Sequence, residues 1–145
     1  MATTTTLATI LPKFARRIGS YIGSFSTTTA IGATGSLTVV ISTELRDIGF
    51  TDDDVVNDSF LKITSGNNLN EVRLISDYTG SSGTMTVTGT DLTSDSGTQA
   101  TFEIYRYDPD QLRDAINDAA NQAFPALFKR VDDRTLTIAP GQARY

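Results

Sequence analysis

The stretch Phe60–Val87, FLKITSGNNLNEVRLISDYTGSSGTMTV, decides the fold of this chain. Apolar and polar residues alternate in three short runs within it, which is the period of a β-strand with one buried face. The connections SGNNLN and TGSSG consist of residues that accept a positive φ or bond their own backbone, so each favours a reversal of the chain. The stretch therefore predicts a β-meander of three strands.

Two further runs show the same alternation and extend the predicted sheet. They are Ser36–Ser42, SLTVVIS, and Thr101–Tyr107, TFEIYRY. By our count the chain holds 23 threonines, a β-branched but polar residue that favours strands whose outer face stays wet or meets another subunit. The predicted body is a mainly β domain, a small antiparallel sandwich or barrel.

One amphipathic helix is predicted on each side of the sheet. Leu11–Ile22, LPKFARRIGSYI, places apolar residues at spacings of three and four. The sequence Asp108-Pro109-Asp110-Gln111 combines a capping residue, a Pro at the first helical position and a Gln three residues after the cap, so a helix should begin there. Pro125 should end or kink this helix near residues 122–124. Its apolar stripe consists of Leu112, Ile116, Ala119, Ala120 and Ala123. The predicted fold class is mainly β with flanking helices (α+β).

These elements divide the chain into three segments. Residues 1–35 are predicted as an N-terminal arm with a short helix, residues 36–107 as the antiparallel β domain, and residues 108–145 as a helix and a terminal strand. The Thr-rich start is either a loose tail or an arm laid on a neighbour, and residues 23–35 read as a flexible connection. The chain stops soon after a predicted strand at residues 135–138, so either it once continued or this strand completes a neighbour's sheet.

The composition excludes several classes of function. The chain has no Cys and no His, which removes disulfides, thiolate and imidazole metal sites, and every triad that needs an imidazole base. No run approaches the ~18–20 apolar residues of a membrane span, and the three cations of the first predicted helix are too few for a specific nucleic-acid surface. We therefore expect no cofactor, no membrane partner and no nucleic-acid partner.

The net charge of −5 is unevenly distributed. Residues 1–43 hold three cations and no acid, residues 44–118 hold five cations and fifteen acids, and residues 119–145 hold four cations and two acids. Basic ends around an acidic body suit contacts between copies of the chain, and a solvated surface is the alternative explanation.

Three groups of acids invite a chemical interpretation. Asp52–Asp54 suggest a hard cation, but their spacing departs from an EF-hand loop, and Thr51 or Asp52 capping a short helical turn is the simpler prediction. Asp114 and Asp118 share one polar helix face, where we expect solvent. Glu103 and Asp77 would be the acids of a glycan-cleaving enzyme, but no cleft signature accompanies them. The chain is not expected to be an enzyme.

Several short motifs together form an ordered set. They are Thr64–Gly66, Glu71–Arg73, Asp77–Gly80, Tyr107–Pro109 and Phe124–Pro125. In this order the set resembles structural proteins of tailed-bacteriophage virions. The resemblance implies a virion protein that forms a symmetric ring or cluster at the head-tail neck or connector and binds portal, adaptor, capsid or tail proteins. The alternatives are a capsid decoration protein and the anchoring domain of a fibre.

The residues expected to make contacts between subunits are aromatic, aliphatic and basic side chains of the two helices and of the last strand of the β domain. The face of Tyr105 and Tyr107 is expected to point outwards, where subunit packing is favoured over stacking on a sugar or a base. The full set is Phe14, Arg16, Arg17, Ile18, Tyr21, Tyr105, Tyr107, Phe124, Leu127 and Phe128.

Overall fold

A computed structural model describes residues 6–127 of the chain. Over this range it contains six strands and three helices, which confirms the predicted class of a mainly β fold with flanking helices. In chain order the elements are α1 (Leu7–Arg17), β1 (Tyr21–Ser26), β2 (Val39–Ile41), α2 (Thr43–Asp47), β3 (Phe60–Ile63), β4 (Val72–Thr79), β5 (Thr84–Val87), β6 (Thr101–Tyr105) and α3 (Pro109–Leu127).

All six strands belong to one antiparallel sheet. Its order is β1-β6-β3-β4-β5-β2, so the three strands of the predicted meander are consecutive neighbours. Phe60 lies opposite Leu74 in the first hairpin, and Tyr78 lies opposite Met85 in the second. The meander is confirmed, and β6 joins it on the outer side of β3.

The two edge strands, β1 and β2, approach each other at one end, so the sheet curls into a barrel-like form. The amide of Thr28 donates to the carbonyl of Ile41 at 2.7 Å, and the hydroxyl of Ser42 donates to the carbonyl of Ser26 at 2.7 Å. At this junction the start of α2 contacts the end of β1, where the amide of Ser26 donates to Oε2 of Glu44 at 2.7 Å. The first residues of α2 thus connect the two edge strands.

The main hydrophobic core fills the inside of the curled sheet. Every strand contributes a buried side chain to it, because alternate residues point to the same face. Each fully buried aliphatic or aromatic side chain contributes roughly 1.5–3 kcal/mol through removal from water. Examples, one from each strand in chain order, are Phe25, Val40, Leu61, Ile75, Met85 and Ile104.

A second, smaller core lies outside the sheet, where α1 and α3 pack on β1, β3 and β6. Leu11 and Ala15 of α1 meet Leu112 of α3 over the buried ring of Tyr105. A β-bulge between Tyr21 and Gly23 turns the ring of Tyr21 towards this outer core. The two helices are therefore fixed to the end of the sheet at which β1 begins and β6 ends.

The loops beside β3 and β4 are held by side-chain amides and carboxylates. Asn68 is buried, and its amide group exchanges two hydrogen bonds of 2.7 Å with the backbone of Thr93. Asp95 is also buried and accepts from the amide of Asn67 at 2.7 Å. In the hairpin between β4 and β5, Gly80 lies against the carbonyl of Thr51, where a Cβ atom would clash with the oxygen.

The N-terminal segment differs from its prediction. α1 begins at Leu7 and ends at Arg17, before Gly19 with its φ of 72°, whereas the sequence predicted Leu11–Ile22. Residues 21–26 form β1 and pair with β6, so the flexible connection predicted from residue 23 is wrong over 23–26. Gly23 and the bulge hide the alternation of this strand in the sequence. The strand predicted at Ser36–Ser42 is shorter and covers only Val39–Ile41.

The helix α3 begins where the capping motif predicted, because Oδ1 of Asp108 accepts from the amide of Asp110 at 2.9 Å. Its apolar stripe is only partly covered: Leu112 is buried and Ile116 half-buried, but Ala119 and Ala120 are exposed. The helix continues through Pro125 to Leu127, so the predicted end near residues 122–124 is wrong. The strand predicted at residues 135–138 lies outside the described residues.

Candidate interface at the open end of the barrel

A pocket of about 600 Å³ lies at the end of the barrel where β1 and β3 begin and β6 ends. One wall consists of the turn between α1 and β1, with Gly19, Tyr21 and Ile22, together with Arg106 after β6. The opposite wall is the loop that leads into β3, with Phe50 and Val55 followed by residues 57–59. The mouths of β-barrels are preferred places for binding, because the strand ends leave a concave surface there.

The segments around Gly19 and Arg106 carry positive charge, and Arg106 is the cation that lines the pocket. Arg106 lines the pocket and is exposed, and its backbone amide donates to the carbonyl of Ser20 at 2.7 Å, which fixes it beside the start of β1. The guanidinium of Arg16 lies 4.6 Å from the ring centroid of Tyr21, a cation–π contact. Arg17, the last residue of α1, is exposed next to them. Within residues 6–127 neither Arg17 nor Arg106 forms an ion pair.

The loop that leads into β3 carries negative charge. Asp52, Asp53, Asp54 and Asp58 are all exposed, and residues 50–59 contain no cation. The loop is held in place by two of these acids: Oδ1 of Asp53 accepts from the amide of Gly80 at 2.8 Å, and Oδ1 of Asp54 accepts from the side-chain amide of Asn57 at 2.7 Å. Of the four acids, Asp58 lines the pocket, together with Arg106.

This bonding pattern bears on the metal interpretation of Asp52–Asp54. In the part of the chain that the structure describes, no group of three or more acids is arranged to hold a metal ion. Two of the three carboxylates instead stabilise turns of their own loop and the neighbouring hairpin. The acids that anchor the loop are Asp53 and Asp54, rather than Thr51 or Asp52 as the sequence predicted.

Exposed apolar side chains lie in the lining of this pocket or next to it in the chain. Val55 lines the pocket and is 49% exposed, Ile18 is 43% exposed just before Gly19, and Tyr107 is 56% exposed just after Arg106. Exposed apolar side chains rimmed by charged residues are typical of protein–protein contact surfaces. We call the surface formed by the lining residues of the pocket, with the adjacent Ile18 and Tyr107, the end face.

Asn57 lines the pocket but was not predicted as a site residue from the sequence. Its Nδ2 is bonded to Asp54, but its Oδ1 is buried and has no hydrogen-bond partner among the described residues. Buried polar atoms are nearly always paired, so this acceptor is an exception among the described residues. In the sequence Asn57 only follows the apolar pair Val55-Val56, and this position does not indicate a binding residue.

Tyr105 is not on the outer surface, so the prediction that it points outwards is wrong. Its ring is fully buried in the outer core and meets the ring of Tyr21 edge to face, with centroids 5.4 Å apart. The face that looked solvent-exposed in the sequence is covered by α1 and α3. Burial, and then the hydrogen bond that its hydroxyl donates to Oε2 of Glu103 at 2.6 Å, raise the pKa of Tyr105 well above its usual range.

The remaining predicted interface residues fall into three groups. Phe14 and Tyr21 are half-buried against the outer core, whereas Arg16, Arg17, Ile18 and Tyr107 are exposed. Phe124 and Leu127 lie in the last turns of α3, and Phe128 lies outside the described residues. Their use as subunit contacts stays a prediction. What the structure brings together at one end of the barrel is the group Arg16, Arg17, Ile18, Tyr21 and Tyr107.

The acids considered for glycan cleavage are not brought together. Glu103 lies on β6 and Asp77 on β4, with β3 between them. Asp77 lies beyond the residues of β4 that pair with β3 and is opposite Thr86 of β5. Oε2 of Glu103 is already bonded to the hydroxyl of Tyr105.

The pKa of Tyr78 is raised, mainly by burial, and its hydroxyl donates to the carbonyl of Phe50 at 2.7 Å. These contacts hold the fold together.

No family model, no curated protein and no solved structure matches this chain. No function is therefore transferred from a relative. Within residues 6–127, none of the helices has the length and hydropathy needed to cross a membrane.

Proposed function

We propose that this chain is a non-enzymatic structural protein of a tailed-bacteriophage virion. It assembles as a symmetric ring or cluster at the head-tail neck or connector and binds other virion proteins, such as the portal, adaptor, capsid or tail proteins. The observation that carries the proposal is the end face, a concave surface at one end of the barrel that combines exposed apolar side chains with the exposed charges of Arg106 and Asp58. Such a surface suits contact with another protein. Within the described residues, Glu103 and Asp77, the acids considered for catalysis, are not part of it.

The motifs that resemble virion proteins support the same proposal through their roles in the fold. Ser65 accepts from the amide of Thr101 at 2.8 Å, Glu71 pairs with Arg73 at 2.6 Å, and Asp108 caps α3. Tyr78 and Gly80 fix the hairpin between β4 and β5 against residues 50–51. Each described motif thus sets a turn, a cap or a loop contact. Such positions define a rigid shape, which is what a building block contributes.

The mechanism is the burial of surface between neighbouring molecules. A stable interface buries roughly 800 Å² on each partner, with an apolar centre and a polar rim. The end face has both features, and the exposed stripe of α3 at Ala119 and Ala120 offers a second surface that another helix is able to approach closely.

The test is the position of the protein on purified particles together with its mass in solution. Immunogold labelling against this chain is expected at the vertex where head and tail meet, and multi-angle light scattering of the purified protein is expected to give a multiple of the chain mass. A monomer at all concentrations that is also absent from particles contradicts the proposal.

A second candidate is a capsid decoration protein or the anchoring domain of a fibre. The exposed ring of Tyr107 favours it, because an exposed aromatic ring offers a stacking surface for a sugar. Labelling over the capsid lattice or at fibre bases, rather than at the tail vertex, would select this candidate. A glycan array without hits would remove direct receptor contact from it.

A further inference from the structure

β1 lies at the border of the described sheet, where its neighbouring strand is β6. In an antiparallel pair, alternate residues direct their amide and carbonyl groups towards the partner strand, and the residues between them direct theirs away from it. The amide of Thr27 donates to the carbonyl of Ala100 at 2.8 Å, so Thr27 points towards the side of β6. Ser26 and Ser24 therefore direct their backbone groups outwards, and no register shift lies between them.

The outward groups of Ser26 are already bonded within the molecule. Its amide donates to Oε2 of Glu44 at 2.7 Å, and its carbonyl accepts from the hydroxyl of Ser42 at 2.7 Å. A carboxylate and a hydroxyl thus take the acceptor and donor places that a further strand would fill. Ser24, by contrast, is exposed, and its backbone makes no hydrogen bond outside the strand ladder among the described residues.

The side chains of β1 do not protect its edge. Natural edge strands often carry Lys, other charged residues or Pro, which oppose pairing with a second chain. The sequence of β1, YIGSFS, contains none of these residues, and its β-bulge lies before Ser24. A helix or loop laid over an edge is another common protection. The start of α2 is held in this place because the next residue after Glu44, Leu45, is fully buried in the main core.

We propose that the start of α2 is an autoinhibitory cover of the β1 edge, which keeps this edge from pairing with the β1 edge of a second copy. A two-fold contact requires a patch that is complementary to itself. When the two strands run antiparallel with Phe25 of one copy opposite Phe25 of the other, Ser24 of each copy lies opposite Ser26 of the other. Both serines direct an amide and a carbonyl outwards, so each such pair exchanges hydrogen bonds in both directions.

The second copy is the occupant because its edge supplies donors and acceptors in this same order. It also brings no like charge to the contact, since the strand is uncharged. The inference concerns the β1 edge alone and goes beyond the proposed virion role, on which it does not depend.

The variant Glu44→Ala opens the cover, because it removes the acceptor of the Ser26 amide and leaves the anchor Leu45 in place. Glu44→Gln is the matched control: it removes the charge but keeps an oxygen that accepts from the same amide. Asp47→Ala removes a charge from the same helix at an exposed side chain that is bonded to Arg46. Circular dichroism verifies the fold of each variant.

Disulfide cross-linking reports the edge contact itself, because the chain has no cysteine of its own. Ser24→Cys and Ser26→Cys are made in separate samples of the full-length chain, which are mixed under mild oxidation. Opposite residues of an antiparallel pair are close enough for a disulfide between the two copies. Glu44→Ala is expected to raise the cross-link yield by about tenfold, as suits the loss of a competing hydrogen bond to a charged group. Glu44→Gln and Asp47→Ala should give the wild-type yield.

Ser24→Pro tests whether the association uses the backbone. It removes the outward amide of Ser24, and Pro is tolerated on an edge strand where the amide faces away from the sheet. Added to Glu44→Ala, it should return the association measured by sedimentation velocity to the wild-type level. Ser24→Lys makes the same test through a charge on the edge, should Pro disturb the strand.

Two results overturn the inference: a folded Glu44→Ala variant that cross-links no more than the wild type, or an increased association that persists with both Ser24→Pro and Ser24→Lys. Labelling of particles bears on neither result, so the autoinhibitory cover and the virion role stand or fall separately.

Discussion

The exchange Asn68→Asp tests how the loops of the barrel are held together. Asn68 is 3% exposed, and its amide group is bonded on both sides to the backbone of Thr93, each time at 2.7 Å. The exchange keeps the shape of the side chain and the acceptor for the amide of Thr93. It replaces the donor with a carboxylate oxygen that faces the carbonyl of Thr93.

The expected loss of stability follows from these two bonds. One hydrogen bond with a net value of about 1 kcal/mol disappears, and the buried carbonyl that it satisfied costs a further ~1–3 kcal/mol. Repulsion between the carboxylate and the carbonyl adds to this, so we expect a loss of about 3 kcal/mol at pH 7. A domain of this size has only ~5–15 kcal/mol in total, so the change is large. Asn67→Asp is the matched control: its side chain is exposed and bonded only to the carbonyl of Ser94, so its loss should be about 1 kcal/mol or less.

Urea unfolding of both variants from pH 7 down to pH 4 measures the effect. Burial beside a carbonyl raises the pKa of the new carboxyl group above that of the unfolded chain, and the neutral acid regains a hydroxyl donor for Thr93. A raised pKa gives a contribution that is present at low pH and lost as the pH rises, so the defect should shrink on acidification. Equal losses in the two variants, or a defect at position 68 that does not change with pH, would refute the reasoning.

Three further substitutions test other contacts. Gly80→Ala should lower the free energy of unfolding, measured in urea, by about 2–3 kcal/mol, because the new Cβ meets the backbone of Thr51. The control Gly97→Ala meets no atom within 4 Å and should lower it by only about 1 kcal/mol, because of its φ of 91°. Asp108→Ala removes the cap of α3 and should lower the free energy of unfolding by about 1 kcal/mol. The control Asp114→Ala, on the exposed side of the same helix, should lower it less, and thermal unfolding of both variants measures the difference. The raised pKa of Tyr105 means that the unfolded chain ionises first above pH 10, so the free energy of unfolding should fall there by up to ~1.4 kcal/mol per pH unit. Tyr105→Phe should make that fall shallower, and an alkaline profile identical to that of the wild type would contradict this assignment.

The sequence predicted those parts of the fold that depend on local chemistry. The meander followed from alternation and turn residues, and the start of α3 followed from Asp108 and Pro109, whose effects act within one turn of the chain. β1 was missed because its alternation is broken by a bulge and by Gly23, whose missing side chain leaves room for the ring of Phe25. That reason is tertiary, since the strand is defined by its pairing with β6.

The site was predictable to a smaller extent. Arg16, Arg17, Ile18 and Tyr107 were predicted as contact residues by their type, and all four are exposed at one end of the barrel, whereas their use as contacts stays a prediction. Tyr105 was assigned to the wrong surface, because strand periodicity shows that two faces differ but does not show that helices cover the second one. Val55 and Asn57 joined the site only because the chain returns to the start of β3 after α2, a topological fact that no local pattern contains.

The hydrogen bond from Ser26 to Glu44 has a further consequence for the edge of the sheet. The open border of a β-sheet is a template for runaway stacking into fibrils, and at Ser26 the free amide of this border is occupied by a carboxylate from the same molecule. Another strand that approached the end of β1 would therefore find this donor already used.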